Sequence, residues 1–100
     1  MSTAKADRIL SDKQLEIVAA HFKLLAEPMR LKILQSVCRE PLMVNDIVAA
    51  VGATQANVSK HLSLLSSAGI LIREKQGQKV FYSLKDPLTL KLCQLVHSHR

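Results

Sequence analysis

Apolar residues recur at helical spacing along most of the chain, then alternate for one stretch near its end. After Ser11, a suitable N-cap, Leu15, Val18, Ala19, Phe22, Leu25 and Ala26 fall on one stripe and predict a first helix. Pro28 predicts the first position of a second helix, where its missing N–H costs nothing. The apolar face of that helix holds Leu31, Leu34 and Cys38, flanked by Ile33 and Val37, and Pro41 is expected to stop it. A short third helix is expected over about residues 44–51, with Ile47, Val48 and Val51 inward and Gly52 as a left-handed C-cap. Thr54 then caps a fourth helix running to about Ser67, with Val58, Leu62 and Leu65 as its core face and Gly69 as its terminator.

From there the pattern alternates. Residues 70–75 and 79–84 read as two strands around Gln76-Gly77-Gln78, which predicts a hairpin. Asp86-Pro87 marks the start of a fifth helix. Its main stripe is Leu88, Leu92 and Leu95, and an adjacent one is Thr89, Cys93 and Val96. Residues 1–10 show no periodicity and are expected to be a flexible tail, which leaves residues 11–100 as one domain. The predicted fold is mostly α with one β-hairpin. A short helix, a tight turn and a longer helix, followed by a hairpin, make a winged helix-turn-helix of five helices and a two-stranded wing.

Composition narrows the function classes. With 48% hydrophobic and 22% charged residues, the chain is globular rather than disordered. Its longest apolar run, residues 47–53, falls far short of the roughly 18 residues of a membrane helix, and residues 1–8 carry no signal-type apolar stretch. A cytoplasmic protein without a membrane partner is expected. Cys38 and Cys93 are too few for a disulfide scaffold or a four-cysteine zinc site. No phosphate loop or nucleophile–base pair is found, so an enzyme is not expected and no cofactor is called for.

The net charge of +6 is unevenly spread. Residues 54–85 carry Lys60, Arg73, Lys75, Lys79 and Lys85 against Glu74 alone. Such a concentration suits an anionic partner, although solubility alone could account for a modest excess. The fourth helix sharpens the choice. Outside its core face it offers Thr54, Gln55, Asn57, Ser59, Lys60, His61 and Ser63, and no Asp or Glu occurs from Thr54 to Ile72. Short donors and acceptors are the groups that read base edges in a major groove, and a carboxylate there would repel phosphates. A plain solvated helix would more often carry Glu–Lys pairs at a spacing of four. Arg73, Lys75, Gln76, Gln78 and Lys79 form a basic, polar-tipped hairpin suited to phosphates or a minor groove. The same lysines would also guard a surface hairpin against edge pairing.

Several segments resemble, in order, the ArsR/SmtB family of bacterial winged-helix repressors. Residues 22–34, Phe-Lys-Leu-Leu-Ala-Glu-Pro-Met-Arg-Leu-Lys-Ile-Leu, are similar to its opening helices. Residues 55–62, Gln-Ala-Asn-Val-Ser-Lys-His-Leu, are similar to its recognition helix, and residues 79–84, Lys-Val-Phe-Tyr-Ser-Leu, to its second wing strand. The resemblance covers about residues 13–100. It implies a sequence-specific repressor that binds a palindromic double-stranded operator as a homodimer built by the first and last helices. An inducer would release it. A winged-helix module that docks on an acidic protein is the competing function class.

Family ligand positions can be compared one by one. Met43 and Asn45 stand where one family metal site has a Cys-x-Cys pair, so that site is not expected. In a second site, on the last helix, Asp86 and His99 match two positions, Leu88 replaces a His, and the fourth position falls past Arg100. Two ligands do not close a tetrahedral shell. Asp86, His97 and His99 remain weak candidates, and a helix C-terminus favours His for dipole reasons alone. Some relatives sense oxidants or reactive sulfur through cysteines on the second and last helices. Cys38 and Cys93 are therefore candidates for a thiol switch, displaced by one and two turns from the family positions. Capture of a metal or arsenite by the two thiols with a His is the alternative. Both residues could equally be small core hydrophobes.

Overall fold

The computed structural model describes residues 9–99, so residues 1–8 of the expected tail lie outside it. Five helices and one hairpin follow in the expected order: α1 (Asp12–Leu25), α2 (Pro28–Ser36), α3 (Val44–Val51), α4 (Gln55–Ser67), β1 (Leu71–Gln76), β2 (Lys79–Leu84) and α5 (Leu88–Ser98).

The helix ends follow local chemistry. Ser11 and Gln14 form a reciprocal capping box: Gln14 N–H donates to Ser11 Oγ at 3.2 Å and Ser11 N–H to Gln14 Oε1 at 2.9 Å. Pro28 opens α2, and the Glu27 carboxylate before it accepts from Met29 N–H at 2.8 Å. Gly52 closes α3 in the left-handed region, φ 70° and ψ 40°, a conformation that costs an L-residue with a Cβ about 1–2 kcal/mol. Thr54, the residue before α4, caps it: its Oγ1 accepts from Asn57 N–H. Asp86 Oδ1 accepts from Leu88 N–H at 2.7 Å, with Pro87 between them.

The core lies where α2, α3 and α4 cross. Ile33, Leu34, Val37, Ile47, Val58, Leu62 and Leu65 are the most buried side chains, with Leu25, Ile70, Leu71 and Tyr82 closing the edges. The three predicted core residues of α4 are all fully buried. Helix α2 departs from expectation. It ends at Ser36, well before Pro41, and Cys38 lies beyond its end, exposed. Leu34 of the expected face is fully buried, Ile33 and Val37, expected as flanks, are buried beside it, and Leu31 is only partly buried.

The outer helices also differ from their predicted stripes. Only Leu25 of the α1 stripe is buried, while Leu15 and Phe22 are half exposed. On α5, Leu88 and Leu95 of the main stripe and Val96 of the adjacent one are exposed, Leu92 and Cys93 are half-buried, and Thr89 is the buried residue. Leu90 packs against the core from the edge.

The strands pair antiparallel from Leu71↔Leu84 to Gln76↔Lys79, so two residues turn the chain rather than three. Gly77 alone in that turn has positive φ, 65°, which matches a turn with glycine at its first central position. Tyr82 also bridges Leu42 through two backbone hydrogen bonds, 2.8 and 3.0 Å, which ties β2 to the loop before α3. No described helix is long and apolar enough to cross a membrane.

Leu62 and Ser63 are neighbours on α4, the first buried and the second exposed, and their truncations should differ accordingly. At fixed protein concentration, urea unfolding should show Leu62→Ala losing about 2–5 kcal/mol and Ser63→Ala less than about 0.5 kcal/mol.

Candidate nucleic-acid interface

Burial of a narrow stripe on α4 leaves the rest of the helix to solvent. Gln55, Ala56, Asn57, Ser59, Lys60 and Ser63 are all exposed, as is Thr54 at the cap. At 100° per residue, Ala56, Ser59, Lys60 and Ser63 lie opposite Val58 and Leu65, while Gln55 and Asn57 lie at the two borders. Ala56 was not among the expected contacts. Its methyl sits in the middle of the exposed face, where an apolar side chain can meet a thymine methyl. The helical projection of the sequence carries that signal.

His61 must be removed from the exposed set. It is only 6% exposed and lies on the core side of α4, next to the Val58–Leu65 stripe. Arg30 Nε donates to His61 Nδ1 at 3.1 Å, and Glu27 Oε2 lies 3.7 Å from His61 Nε2. Its ring is therefore engaged by α2 rather than offered to a ligand. Polarity suggested an outward residue; the partner 31 positions away cannot be read from local pattern.

The hairpin carries its polar groups on both faces. The register puts Arg73 and Lys75 on the face of Leu71, Val80, Tyr82 and Leu84. Gln76 and Lys79 share the other face with Ile72, Glu74 and Phe81. Leu71 and Tyr82 are buried at the base of the first face, whereas Arg73 and Lys75 reach past the core into solvent. The expected single basic cluster is thus divided: Arg73 and Lys75 on one face, and Lys79 on the other with Glu74. A hairpin lying edge-on along a duplex can address phosphates from both sides.

The remaining candidates fall on α5 and the end of α2. Cys38, exposed, and Cys93, half-buried, line one cleft of about 470 Å³ with Leu31, Gln35, Leu90, Gln94 and His97. Cys93 and His97 also border an apolar cleft of about 490 Å³ between α1 and α5, lined by Phe22, Leu25, Leu92 and Val96 among others. Asp86 and His99 sit at opposite ends of α5 and each is occupied locally, Asp86 with Leu88 N–H and His99 Nδ1 with the Leu95 carbonyl. Among the described residues, no three His, Cys, Asp or Glu side chains are grouped to hold a metal ion.

Comparison with known proteins follows the same lines. Residues 27–73, from the cap of α2 through the recognition helix into β1, match the pattern described as bacterial regulatory protein, arsR family. The transcriptional repressor SmtB homolog of Synechocystis is 32% identical over 91 residues, covering 91% of this chain and 69% of that protein. Across eight curated relatives, that one included, the chain spans 58–69% of their length. The crystal structure of the AntR antimony-specific transcriptional repressor superposes with a TM-score of 0.74 at 31% identity, covering 92% of this chain and 88% of that one. The homodimeric winged helix-turn-helix DNA-binding domain of Mb0332 from Mycobacterium bovis superposes with a TM-score of 0.74 at 28% identity, covering 90% and 86%. With the helix-turn-helix, the wing and these similarities in agreement, the chain belongs to the ArsR/SmtB family of winged helix-turn-helix transcriptional regulators.

Proposed function

We propose that the chain represses transcription by binding a palindromic operator as a homodimer, with α4 in the major groove and the β1–β2 wing on flanking phosphates or in the minor groove. The carrying observation is the exposed, carboxylate-free face of α4 at Gln55, Asn57, Ser59, Lys60 and Ser63. It combines short base-reading groups with one cation and sits beside a wing whose cations reach solvent.

The homodimer reading rests on α1 and α5. Leu15, Ile17 and Phe22 on α1 and Leu88, Leu95 and Val96 on α5 are the exposed large hydrophobics of those helices. Of these, Phe22 and Val96 line the open apolar cleft between the two helices. Exposed apolar surface of this kind marks an interaction site, and a second copy presents the same surface for a two-fold contact. The homodimeric relative from Mycobacterium bovis supports that choice of partner.

Release is the finer part of the proposal. Cys38 and Cys93 open on one cleft, and Cys93 shares α5 with the apolar residues of the proposed interface. Oxidation by hydrogen peroxide would join the two thiols as a disulfide with release of two waters, or a polysulfide would place a sulfur atom between them, its terminal sulfurs leaving with the thiol protons as hydrogen sulfide. Either product draws α5 toward the end of α2 and disturbs the dimer. A soft ion such as antimonite or mercury held by the same thiols would act at the same place.

Fluorescence anisotropy on a duplex selected from a random-sequence pool tests the first claim. Log affinity should fall steeply with log salt. Lys79→Ala should weaken every duplex alike and lower the salt slope by about 0.9. Gln55→Ala should cost about 1–3 kcal/mol on the selected sequence and little on a shuffled one. Binding to acidic protein with no salt-dependent binding to any duplex would replace this reading with a protein-docking module.

The release claim has a separate readout. Peroxide or polysulfide should lower operator affinity of the wild type, and Cys38→Ser and Cys93→Ser should each abolish the effect. An unchanged oxidised wild type that loses DNA on adding antimonite or mercury would move the inducer to a soft ion. No response to either reagent would remove the thiols from the mechanism.

A further inference from the structure

Arg30, on α2, hydrogen-bonds through its side chain to both α1 and α4. It stands in the first turn of α2. Its Nε donates to His61 Nδ1 in the middle of α4 at 3.1 Å, and its Nη1 donates to the Leu24 carbonyl in the last turn of α1 at 2.8 Å. Arginine has donors only, so His61 Nδ1 must accept, and the ring proton of the neutral imidazole sits on Nε2. That nitrogen faces Glu27, whose other carboxylate oxygen caps α2 at Met29 N–H. The ring is buried, so its direction is held by these partners rather than by water.

We propose that Arg30 and His61 are positioning residues for DNA recognition: their hydrogen bond fixes the rotation of α4 about its own axis and ties that rotation to α1. Val58, Leu62 and Leu65 hold α4 against the core, but hydrophobic burial has no direction and tolerates small rotations. With side chains included, a helix has a radius of about 5–6 Å, so a turn of about 20° moves an outer group by about 2 Å. A hydrogen bond to a base edge is lost over a smaller distance. Asn57 lies one turn before His61 on α4, and Lys60 immediately before it, so both shift with the ring. Phosphate contacts from the wing do not depend on this angle. The pair therefore acts on sequence discrimination rather than on general affinity. Through the Leu24 carbonyl the same guanidinium senses where α1 ends, and α1 is a helix of the proposed dimer contact.

This inference rests on the DNA-binding reading above, and its test separates the two. Affinities are measured for a duplex selected by the wild type from a random pool and for a shuffled duplex of equal length. His61→Leu keeps volume and removes the acceptor. His61→Asn returns an oxygen to the place of Nδ1. Arg30→Lys keeps the charge but cannot hold both acceptors in one fork. His61→Leu and Arg30→Lys should lose about 10- to 100-fold on the selected duplex and less than about 3-fold on the shuffled one, with the salt slope unchanged. His61→Asn should recover to within about 3-fold of wild type on the selected duplex. Thermal unfolding and sedimentation confirm that each variant is folded and in the wild-type oligomeric state. Should His61→Leu fail to fold, Arg30→Lys decides by the same ratio. Folded variants that keep the wild-type ratio, lose equally on both duplexes, or show His61→Asn as impaired as His61→Leu overturn the positioning role. A wild type that binds no duplex overturns the DNA reading itself.

Discussion

On the proposed reading, DNA recognition depends on how little of α4 is buried. A helix held on one side by Val58, Leu62 and Leu65, each worth about 1.5–3 kcal/mol when fully buried, keeps the rest of its circumference free. The tight turn before it makes this possible. Gly52 in the left-handed region reverses the chain within two residues, so α3 covers the inner side of α4 without wrapping around it. A longer turn would loosen the angle, and a wider apolar stripe on α4 would consume the polar positions at Ser59, Lys60 and Ser63.

The wing is subject to a second constraint. A two-stranded hairpin alone is marginal in water, so it needs an anchor at its base. Leu71, Tyr82 and the backbone bridge from Tyr82 to Leu42 supply one, joining the hairpin to the segment that opens α3. The tip at Gly77-Gln78 then projects as a rigid extension of the helix-turn-helix rather than as a loose loop. Its cations divide between the two faces because the chain turns in two residues. Pairing Gln76 with Lys79 sets Lys79 on the opposite side from Lys75.

Local chemistry made most of this legible in the sequence. Ser11, Pro28, Gly52, Thr54, Gly69 and Asp86 act within a few residues of themselves, and the helix boundaries they predict are the ones found, to within a residue or two. The core face of α4 was equally clear, because Val58, Leu62 and Leu65 repeat at helical spacing. Long-range contacts were not. The engagement of His61 by Arg30 joins positions far apart in the chain, so a polar residue on α4 looked outward when it is buried. The burial of Ile33 and Val37 beside Leu34, with Cys38 left exposed, is set by α3 and α4 together rather than by the α2 stripe. The outer stripes were legible as apolar, and the family resemblance implied a homodimer built by the first and last helices; Leu15, Phe22, Leu88 and Leu95 are exposed on the single chain.

That last point connects sensing to recognition on the proposed reading. Two clefts of about 490 and 470 Å³ lie on either side of Cys93, one apolar and bordered by α1, the other leading to Cys38 at the end of α2. Leu31 lines both, one residue after Arg30, whose guanidinium reaches α1 and α4 together. A change in either cleft therefore meets α2 within one residue of the contact that orients the recognition helix. Hydrophobic packing in the core is stiff against compression but permits small rotations of a helix on its stripe. A hydrogen bond of about 1 kcal/mol net is a weak restraint on stability and a strong one on angle. A regulator that must keep its fold while giving up its operator needs a restraint of that kind. It can be loosened from the dimer side without exposing the Val58–Leu65 stripe to water.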